Sequence, residues 1–360
     1  MNIISIEQGI KILQNKDILA FPTETVYGIG ANAYEKEAYE KIYKIKNRPK
    51  HNPLIIHCYN LSQAQTIGIF NDTALKLAQK FWPGPLTLLL PKKSDIQIIN
   101  KNNTVCIRIP SHPIAQNLLQ QLPFPLAAPS ANMSNYISST TAQHVYNDFQ
   151  DKLPIIEGEI IHGIESTIID CLNSDIKILR NGSITFEDIK KITNKIKYNN
   201  NDNTRYTNKK SIENNYKTLQ KNSNQESHQK INNDKKNQIL SPGQLHKHYS
   251  PTTPLHINYD IQKIKKKIKI NTSLNTNTLI IYIYHGKNID LSKHEKSQIK
   301  TINLSPTSNL KEIAKNLYTK MREADQYALL HNIQNIYIQK IDNIGIGIAI
   351  NEKLSRASCK

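Results

Sequence analysis

Apolar positions along the first half of the chain switch repeatedly between helical and strand spacing. Ile6, Ile10 and Leu13 recur at helical intervals within Ser5–Lys16, and Ile18–Phe21 reads as the strand that follows. The same pattern predicts helices over Ala38–Lys46, Ser62–Thr66, Asn71–Phe81, Pro113–Leu122 and Thr140–Phe149, with Asn71 or Asp72 able to cap the third. Strands are expected at Pro53–Cys58, Leu86–Leu90, Thr104–Ile109, within PLAAPSAN, and at Pro154–Glu157, Ser166–Cys171 and Ile176–Leu179. So many short strands among helices imply an α/β domain with a mixed sheet. Pro22 ends the first strand and releases Thr23, Glu24, Thr25 and Tyr27 into a glycine-bearing turn.

After Phe186 the rhythm fades. Between Asn194 and Leu240, 13 of 47 residues are Asn and aliphatic residues are rare. Too little apolar surface is available there to offset the entropy of ordering the chain, so this stretch is expected to be a flexible linker. Order is expected to resume at SPGQLHKHYSP (Ser241–Pro251). A smaller α/β unit follows, with strands Leu279–Tyr284 and Asn335–Gln339, a helix from Asn309 to about Leu330 and a closing helix around Ile348–Arg356. Leu310, Ile313, Ala314, Leu317, Met321 and Ala324 make one apolar, core-facing stripe on the long helix. The expected division is therefore a catalytic domain at 1–193, a linker at 194–251 and a C-terminal domain at 252–360.

Charge changes this picture less than its total suggests. The chain of 360 residues carries a formal +18. Residues 1–193 hold 19 basic against 17 acidic side chains, 194–275 hold 16 against 5, and 276–360 hold 12 against 7. The excess lies outside the segment that looks catalytic; weak RNA affinity is the partner it would add. Cys58, Cys106, Cys171 and Cys359 are scattered without a C-x-x-C pair, which suits buried thiols in a reducing compartment. No apolar run is long enough to span a membrane, and polar residues interrupt any signal-peptide core near the N-terminus, so a cytoplasmic location is expected. Trp82 is expected to plug the core.

Candidate chemistry gathers at strand ends. Lys46, Arg48 and Lys50 leave a helix just before a strand, and Arg108 and Arg180 end later strands. With the hydroxyl and amide groups of Thr25, Asn52, Ser130 and Ser166 they could form an anion site, since guanidinium forks match phosphates and carboxylates. GIGANAYEK lacks the G-K-[ST] ending of a phosphate-binding loop, so any nucleotide would be held by dispersed cations.

FPTETVYGIG, the K-x-R pattern at Lys46–Arg48 with NPLIIH after it, the S-x-N pattern at Ser130–Asn132, GIESTIID, SPG…HYSP and the closing GIGIAINEKLSRAS occur in an order that resembles the threonylcarbamoyl-AMP synthases. The resemblance is to their long form and spans nearly the whole chain except the Asn-rich insert. It implies a YrdC-like twisted mixed sheet with flanking helices and a smaller Rossmann-like α/β C-terminal domain. The implied reaction joins L-threonine, bicarbonate (or carbon dioxide) and ATP, with Mg²⁺, into L-threonylcarbamoyladenylate and pyrophosphate. The product would pass to the machinery that modifies tRNA.

By matched position, Arg48, Asn52, Thr104, Ser130, Ser138, Arg180 and Tyr249 would contact ATP. Thr25, His57, Arg108, Ala128 (through its backbone) and Ser166 would contact threonine, and Lys46 with Arg48 would serve the reacting anions. No protein side chain is assigned to the metal, although Glu24 and Glu165 could help hold it or the amine. His57 also has a plain reading as a locally satisfied strand-end histidine. Asn47, Asn135 and Asn181 stand where the family usually has Gly, Gly and Pro, and Gln244 where Met is common. Asn tolerates the left-handed region, so the first two turns can survive; the third change would hold Arg180 less rigidly. The segment with His248 and Tyr249 could close over the pocket and exclude water, or simply connect domains. The alternatives are a hydrogenase-maturation carbamoyl transferase, whose cysteine-rich zinc modules are missing from this sequence, and an RNA-binding module without adenylate chemistry. Deleting most of residues 199–235 is expected to preserve the rate of ATP-dependent pyrophosphate release; a folded but inactive deletion would give the insert a catalytic duty.

Overall fold

The computed structural model describes residues 1–94, 103–196, 242, 248–273 and 279–358. Most of the expected linker, including Gln244, lies outside the described residues, as does Cys359. Among the described residues no helix is long and apolar enough to cross a membrane.

In the first unit the strands are β1 (Leu19–Phe21), β2 (Gly28–Asn32), β3 (Ile55–His57), β4 (Leu86–Pro91), β5 (Thr104–Arg108), β6 (Leu126–Ala128), β7 (Thr167–Asp170) and β8 (Lys177–Arg180). They form an eight-stranded mixed sheet in the order β1-β2-β6-β3-β5-β4-β7-β8. Helices α1 (Ile6–Gln14), α2 (Lys36–Lys46), α3 (Leu61–Ile67), α4 (Asp72–Phe81), α5 (Pro113–Gln120), α6 (Ala142–Phe149) and α7 (Phe186–Lys190) flank it. Side-chain caps start several of them: Ser5 closes a capping box with Gln8, Asn71 caps α4 and Thr141 caps α6.

Strand alternation decides which side chains can reach a site. Ile56, Leu88, Leu90, Val105, Ile107 and Ile169 enter the largest core, whereas Ile55, Leu89, Cys106 and Ile168 point to the opposite face. With a period of two, His57, Thr87 and Arg108 fall on that opposite face and are neighbours, because His57 and Thr87 both pair with Arg108. At the β1 end the same face is covered by α1 and α5 through Leu13, Leu118 and Leu119. Trp82 packs against the main core and donates its indole N–H to the Leu86 carbonyl (2.7 Å). Cys58, Cys106 and Cys171 are buried, and none is in a disulfide among the described residues.

Two sequence expectations change. The expected glycine-bearing turn is a strand: the reversal occurs at Glu24–Val26, and β2 then pairs antiparallel with β1, Leu19 opposite Gly30. A Cβ on Gly30 would lie 3.0 Å from the Phe21 ring, so the glycine makes room for that side chain rather than for a turn. Pro154–Glu157 is not a regular strand. Pro154 has no N–H to donate, and Ile155 makes isolated bridges to Ile3 and Ala20.

The second unit has β9 (Leu255–His256), β10 (Ile280–Tyr284), β11 (Ile299–Asn303) and β12 (Ile336–Ile338), all parallel in the order β11-β10-β12-β9. Helices α8 (Ile261–Ser273) and α9 (Lys293–Gln298) lie on one side, and α10 (Leu310–Leu330) and α11 (Ile346–Ala357) on the other. Elements β9, α8, α9 and β11 escape the sequence pattern because they are very short or because lysines crowd their apolar positions.

The expected stripe on α10 is core, with Ile313, Ala314, Leu317, Met321 and Ala324 buried and Leu310 partly so. A second face of α10 is also buried, against the first unit. Arg322 grips Asp148 with both terminal nitrogens (2.8 and 2.7 Å), donates to the Ile137 carbonyl and Ser139 hydroxyl, and lies 4.7 Å from the Tyr136 ring centroid. Asp325 accepts from the Tyr136 hydroxyl and the backbone N–H groups of Thr252 and Thr253. Val26, Ile137 and Ile164 join the apolar cluster of the second unit. Replacing Arg322 by Ala strands a buried carboxylate, so the expected loss is about 3–5 kcal/mol. It should appear as a lower urea midpoint, and an unchanged midpoint would remove the pair from the interface.

Candidate active site

A cleft of about 550 Å³, its open mouth included, lies on the polar face of the large sheet. Its wall brings together Thr25 from the Glu24–Val26 bend, Arg48 after α2, His57 and Arg108 at neighbouring strand ends, and Ala128 and Ser130 at the end of β6. Ser166 and Arg180 join them from the β7–β8 side, and Pro242, His248 and Tyr249 complete the wall. Residues far apart in sequence therefore meet because strand pairing aligns their ends.

Arg48 donates from Nε to the Asn52 carbonyl (3.2 Å) and from Nη2 to the Pro53 carbonyl (3.0 Å). Arg180 donates to the Ser166 carbonyl and hydroxyl (both 3.0 Å), and that hydroxyl lies 2.8 Å from Thr87 Oγ1. Both guanidinium groups are buried, and neither has an ion-pair partner among the described residues. Arg108 differs: Nη1 donates to Thr25 Oγ1 (2.9 Å), and Nη2 lies 2.6 Å from the buried carboxylate of Glu24. The Glu24 contact is a close ion pair without the alignment of a hydrogen bond.

The remaining expected site residues divide. Lys46 is buried outside the cleft lining, and its ammonium donates to the carbonyls of Ser130 (2.6 Å) and Asn132. It thus braces the loop after β6. Asn47 caps α2 in the left-handed region (φ 50°), and Asn135 adopts φ 68°, so both turns keep the backbone expected of them. Ser138 also lies behind the wall, donating to Glu165 (2.6 Å). Thr104 shares a strand face with Arg108 but lies about 13 Å along the strand from it and does not line the cleft. Asn52 does not line the cleft, and among the described residues neither oxygen nor nitrogen of its buried amide is paired; the hydroxyl of Tyr249, which does line it, is likewise unpaired. Such orphaned groups suit a ligand that supplies their partners.

Sequence reasoning underweighted Glu165 and could not see Tyr318. Glu165 lines the cleft and holds two hydroxyls, accepting from Ser138 and from Tyr318 of α10 (2.8 Å). Tyr249 stacks on Tyr318 with ring centroids 5.7 Å apart. The GIEST motif could have raised Glu165; nothing local marks Tyr318, because a tyrosine on an amphipathic helix reads as ordinary core. His248 and Tyr249 do reach the pocket, as one of the two linker readings requires.

Electrostatics favour an anionic occupant. Burial lowers the Arg48 pKa to about 10, still well above neutrality, while Tyr43 and Tyr39 act against the shift. Burial, reinforced by Arg48, pulls Lys46 well below the usual lysine range. The Tyr249 hydroxyl is pushed up by burial and by Glu165, so it stays a neutral donor.

Residues 11–182 match the Sua5/YciO/YrdC family model, described as telomere recombination. Residues 184–359 match the model described as threonylcarbamoyl-AMP synthase, C-terminal domain. The chain is 31% identical over 365 residues to the threonylcarbamoyl-AMP synthase of Bacillus subtilis, covering 98% of this chain and 92% of that protein. It is 30% identical over 350 residues to that of Pyrococcus abyssi, covering 95% and 90%. A crystal structure of P. abyssi Sua5 complexed with L-threonine aligns with a TM-score of 0.76 at 29% identity, over 98% of this chain and 94% of that one.

Three buried imidazoles tie stability to pH. Burial, aided by Arg108, lowers His57 to about 3; burial and Arg322 lower His144 to about 3; burial and the surrounding cations lower His248 well below 6.5. Below about pH 6.5 the unfolded chain binds protons that the folded chain refuses, so stability falls as pH drops through that window towards about 3. The His57 ring signals are expected not to titrate between pH 5 and 8 in NMR, and a midpoint near 6.5 would contradict its burial.

Proposed function

The chain belongs to the threonylcarbamoyl-AMP synthase family in its two-domain form, and from that membership we propose that its cleft joins L-threonine, bicarbonate (or carbon dioxide) and ATP into L-threonylcarbamoyladenylate and pyrophosphate. The threonine nitrogen first forms a bond to the carbon of carbon dioxide and gives up a proton to solvent, or to the carbon of bicarbonate with loss of water, to give a carbamate. A carbamate oxygen then forms a bond to the α-phosphorus, the bond to the bridging oxygen of the β-phosphate breaks, and pyrophosphate leaves with the electron pair.

Two anions must therefore meet. Unit charges about 4 Å apart repel by roughly 1 kcal/mol in water and about 4 kcal/mol at an effective dielectric of 20. The observation that carries the reading is the pair of buried guanidinium groups, Arg48 and Arg180, held by neutral oxygens in one cleft. Phosphate oxygens would supply the compensating charge, and no protein nucleophile is needed. Arg48, Asn52, Ser130, Arg180 and Tyr249 are assigned to the nucleotide, with Ser138 acting through Glu165 and Lys46 through the Ser130 loop. Thr25, His57, Arg108, Ala128 and Ser166 are assigned to threonine; a neutral His57 would accept or donate a hydrogen bond there without adding charge. Thr104 would meet only the far end of the nucleotide.

Mg²⁺ binds oxygen ligands and usually keeps water and phosphate among them. No group of three His, Cys, Asp or Glu is present among the described residues, and Glu165 of the cleft already holds two hydroxyls. These residues fit a metal that arrives on ATP phosphates, where it would offset charge on the leaving pyrophosphate. The adenylate would pass to the enzymes that transfer its threonylcarbamoyl group to tRNA.

Pyrophosphate release is expected to require threonine and bicarbonate together. Arg48→Ala should lower it by about 10²–10³ with the circular dichroism spectrum retained. ATP turnover indifferent to both co-substrates, or wild-type rates in that variant, would overturn the reading. Salt-sensitive RNA binding without any adenylate formation would favour the RNA-binding alternative instead.

A further inference from the structure

The strand end that carries Arg180 is held from the other unit. Asn181, the next residue, donates from its backbone N–H and from Nδ2 to one carboxylate oxygen of Glu352 (3.0 and 2.8 Å). Its carbonyl accepts from the Lys353 ammonium (2.6 Å). Three of the polar groups of one residue are thus taken by two consecutive side chains of α11, both buried. On the other side Gly182 lies so close to the Thr167 backbone that a Cβ would come within 2.3 Å of its nitrogen, so the strand end cannot shift that way. The same helix reaches the facing wall: the Arg356 carbonyl accepts from His248 N–H (3.3 Å), and the Lys353 ammonium lies 5.8 Å from the Tyr249 ring centroid.

Burying a carboxylate and an ammonium is costly unless their hydrogen bonds are made. Here Glu352 Oε1 accepts from the Arg356 guanidinium (3.3 and 3.2 Å), while Glu352 Oε2 and the Lys353 ammonium make their bonds to the residue beside a cleft cation. Without them the Arg180 guanidinium would keep its contacts to Ser166 while its backbone lost the anchor that fixes its reach.

We propose that Glu352 and Lys353 are positioning residues for the reaction, gripping Asn181 so that the C-terminal unit sets the place of the Arg180 guanidinium. This rests on the assignment of Arg180 to the nucleotide. The grip replaces chain stiffness with hydrogen bonds at a position where Asn supplies both a side-chain donor and a backbone donor that proline lacks.

The test compares Glu352→Ala, Glu352→Gln, Asn181→Ala and Arg180→Ala in steady-state pyrophosphate release by the full chain. Glu352→Ala is expected to raise the KM for ATP about 10-fold while the KM for threonine stays within about 2-fold. Glu352→Gln, which keeps an acceptor oxygen, should recover most of the loss, and adding Asn181→Ala to Glu352→Ala should cost little more. Unchanged KM for ATP, equal losses for both substrates, or additive effects of the two substitutions would overturn the grip. If Glu352→Ala does not fold, Asn181→Ala alone carries the test; it removes only the Nδ2 bond, so a smaller rise, still confined to the KM for ATP, is expected. Arg180→Ala separates the two levels of argument. If it leaves the KM for ATP unchanged, the nucleotide assignment falls; if it raises that KM while Glu352→Ala is silent, the grip alone falls.

Discussion

Two guanidinium groups buried beside one cleft, with neutral oxygens as their partners, set the terms for the rest of the molecule. A buried cation without a counter-charge is unfavourable by several kcal/mol, so the fold must offset that cost until an anion arrives. It does so by surrounding each group with carbonyls fixed in strand ends and loops. It also keeps nearby carboxylates occupied: Glu24 lies against Arg108, and Glu165 is committed to Ser138 and Tyr318. Either carboxylate swung towards Arg48 or Arg180 would fill the place of a phosphate.

That arrangement depends on both units. Among the described residues the first supplies every cation of the cleft lining, but the groups that immobilise its walls come largely from α10 and α11. Tyr318 orients Glu165, Arg322 holds the 137–139 segment and Asp148, and Asp325 fixes the start of the second unit through Thr252 and Thr253. The apolar cluster follows the same division, since Val26, Ile137 and Ile164 sit next to site residues yet pack with the second unit. The C-terminal unit is therefore part of the site's scaffold, not a neighbour on a tether.

How much of this could be read from the chain follows from the range of each interaction. Helices with a clear stripe and a polar cap, such as α1, α4 and α10, are legible because both signals are local. The gathering of Arg48, His57, Arg108, Ser166 and Arg180 is legible from their places at strand ends and from the motif order. The GIGAN strand is not, because two glycines that admit the Phe21 ring look the same as glycines in a turn. The position of Lys46 is legible but its contacts are not: a lysine near a phosphate site suggests direct charge contact, and the carbonyls of Ser130 and Asn132 that hold it come from a distant loop. The duties of Tyr318, Arg322 and Glu352 give no local sign, since Glu165, Asp148 and Asn181, which they hold, lie more than 150 residues away.

Asn181 shows how a local weakness and a distant contact can answer each other. By itself it leaves φ free at the end of β8, where the proline that the resemblance implies would fix it. Yet proline could not donate the backbone N–H that Glu352 accepts, nor offer a side-chain amide beside it. The stiffness lost along the strand is restored across the interface, and it depends on α11 being in place. At the flanks of the linker, Ile196 is packed in the first core, and Tyr249 lines the cleft and stacks on Tyr318. Between those anchors Pro242 also lines the cleft, so the end of the linker is part of the wall and not only a tether.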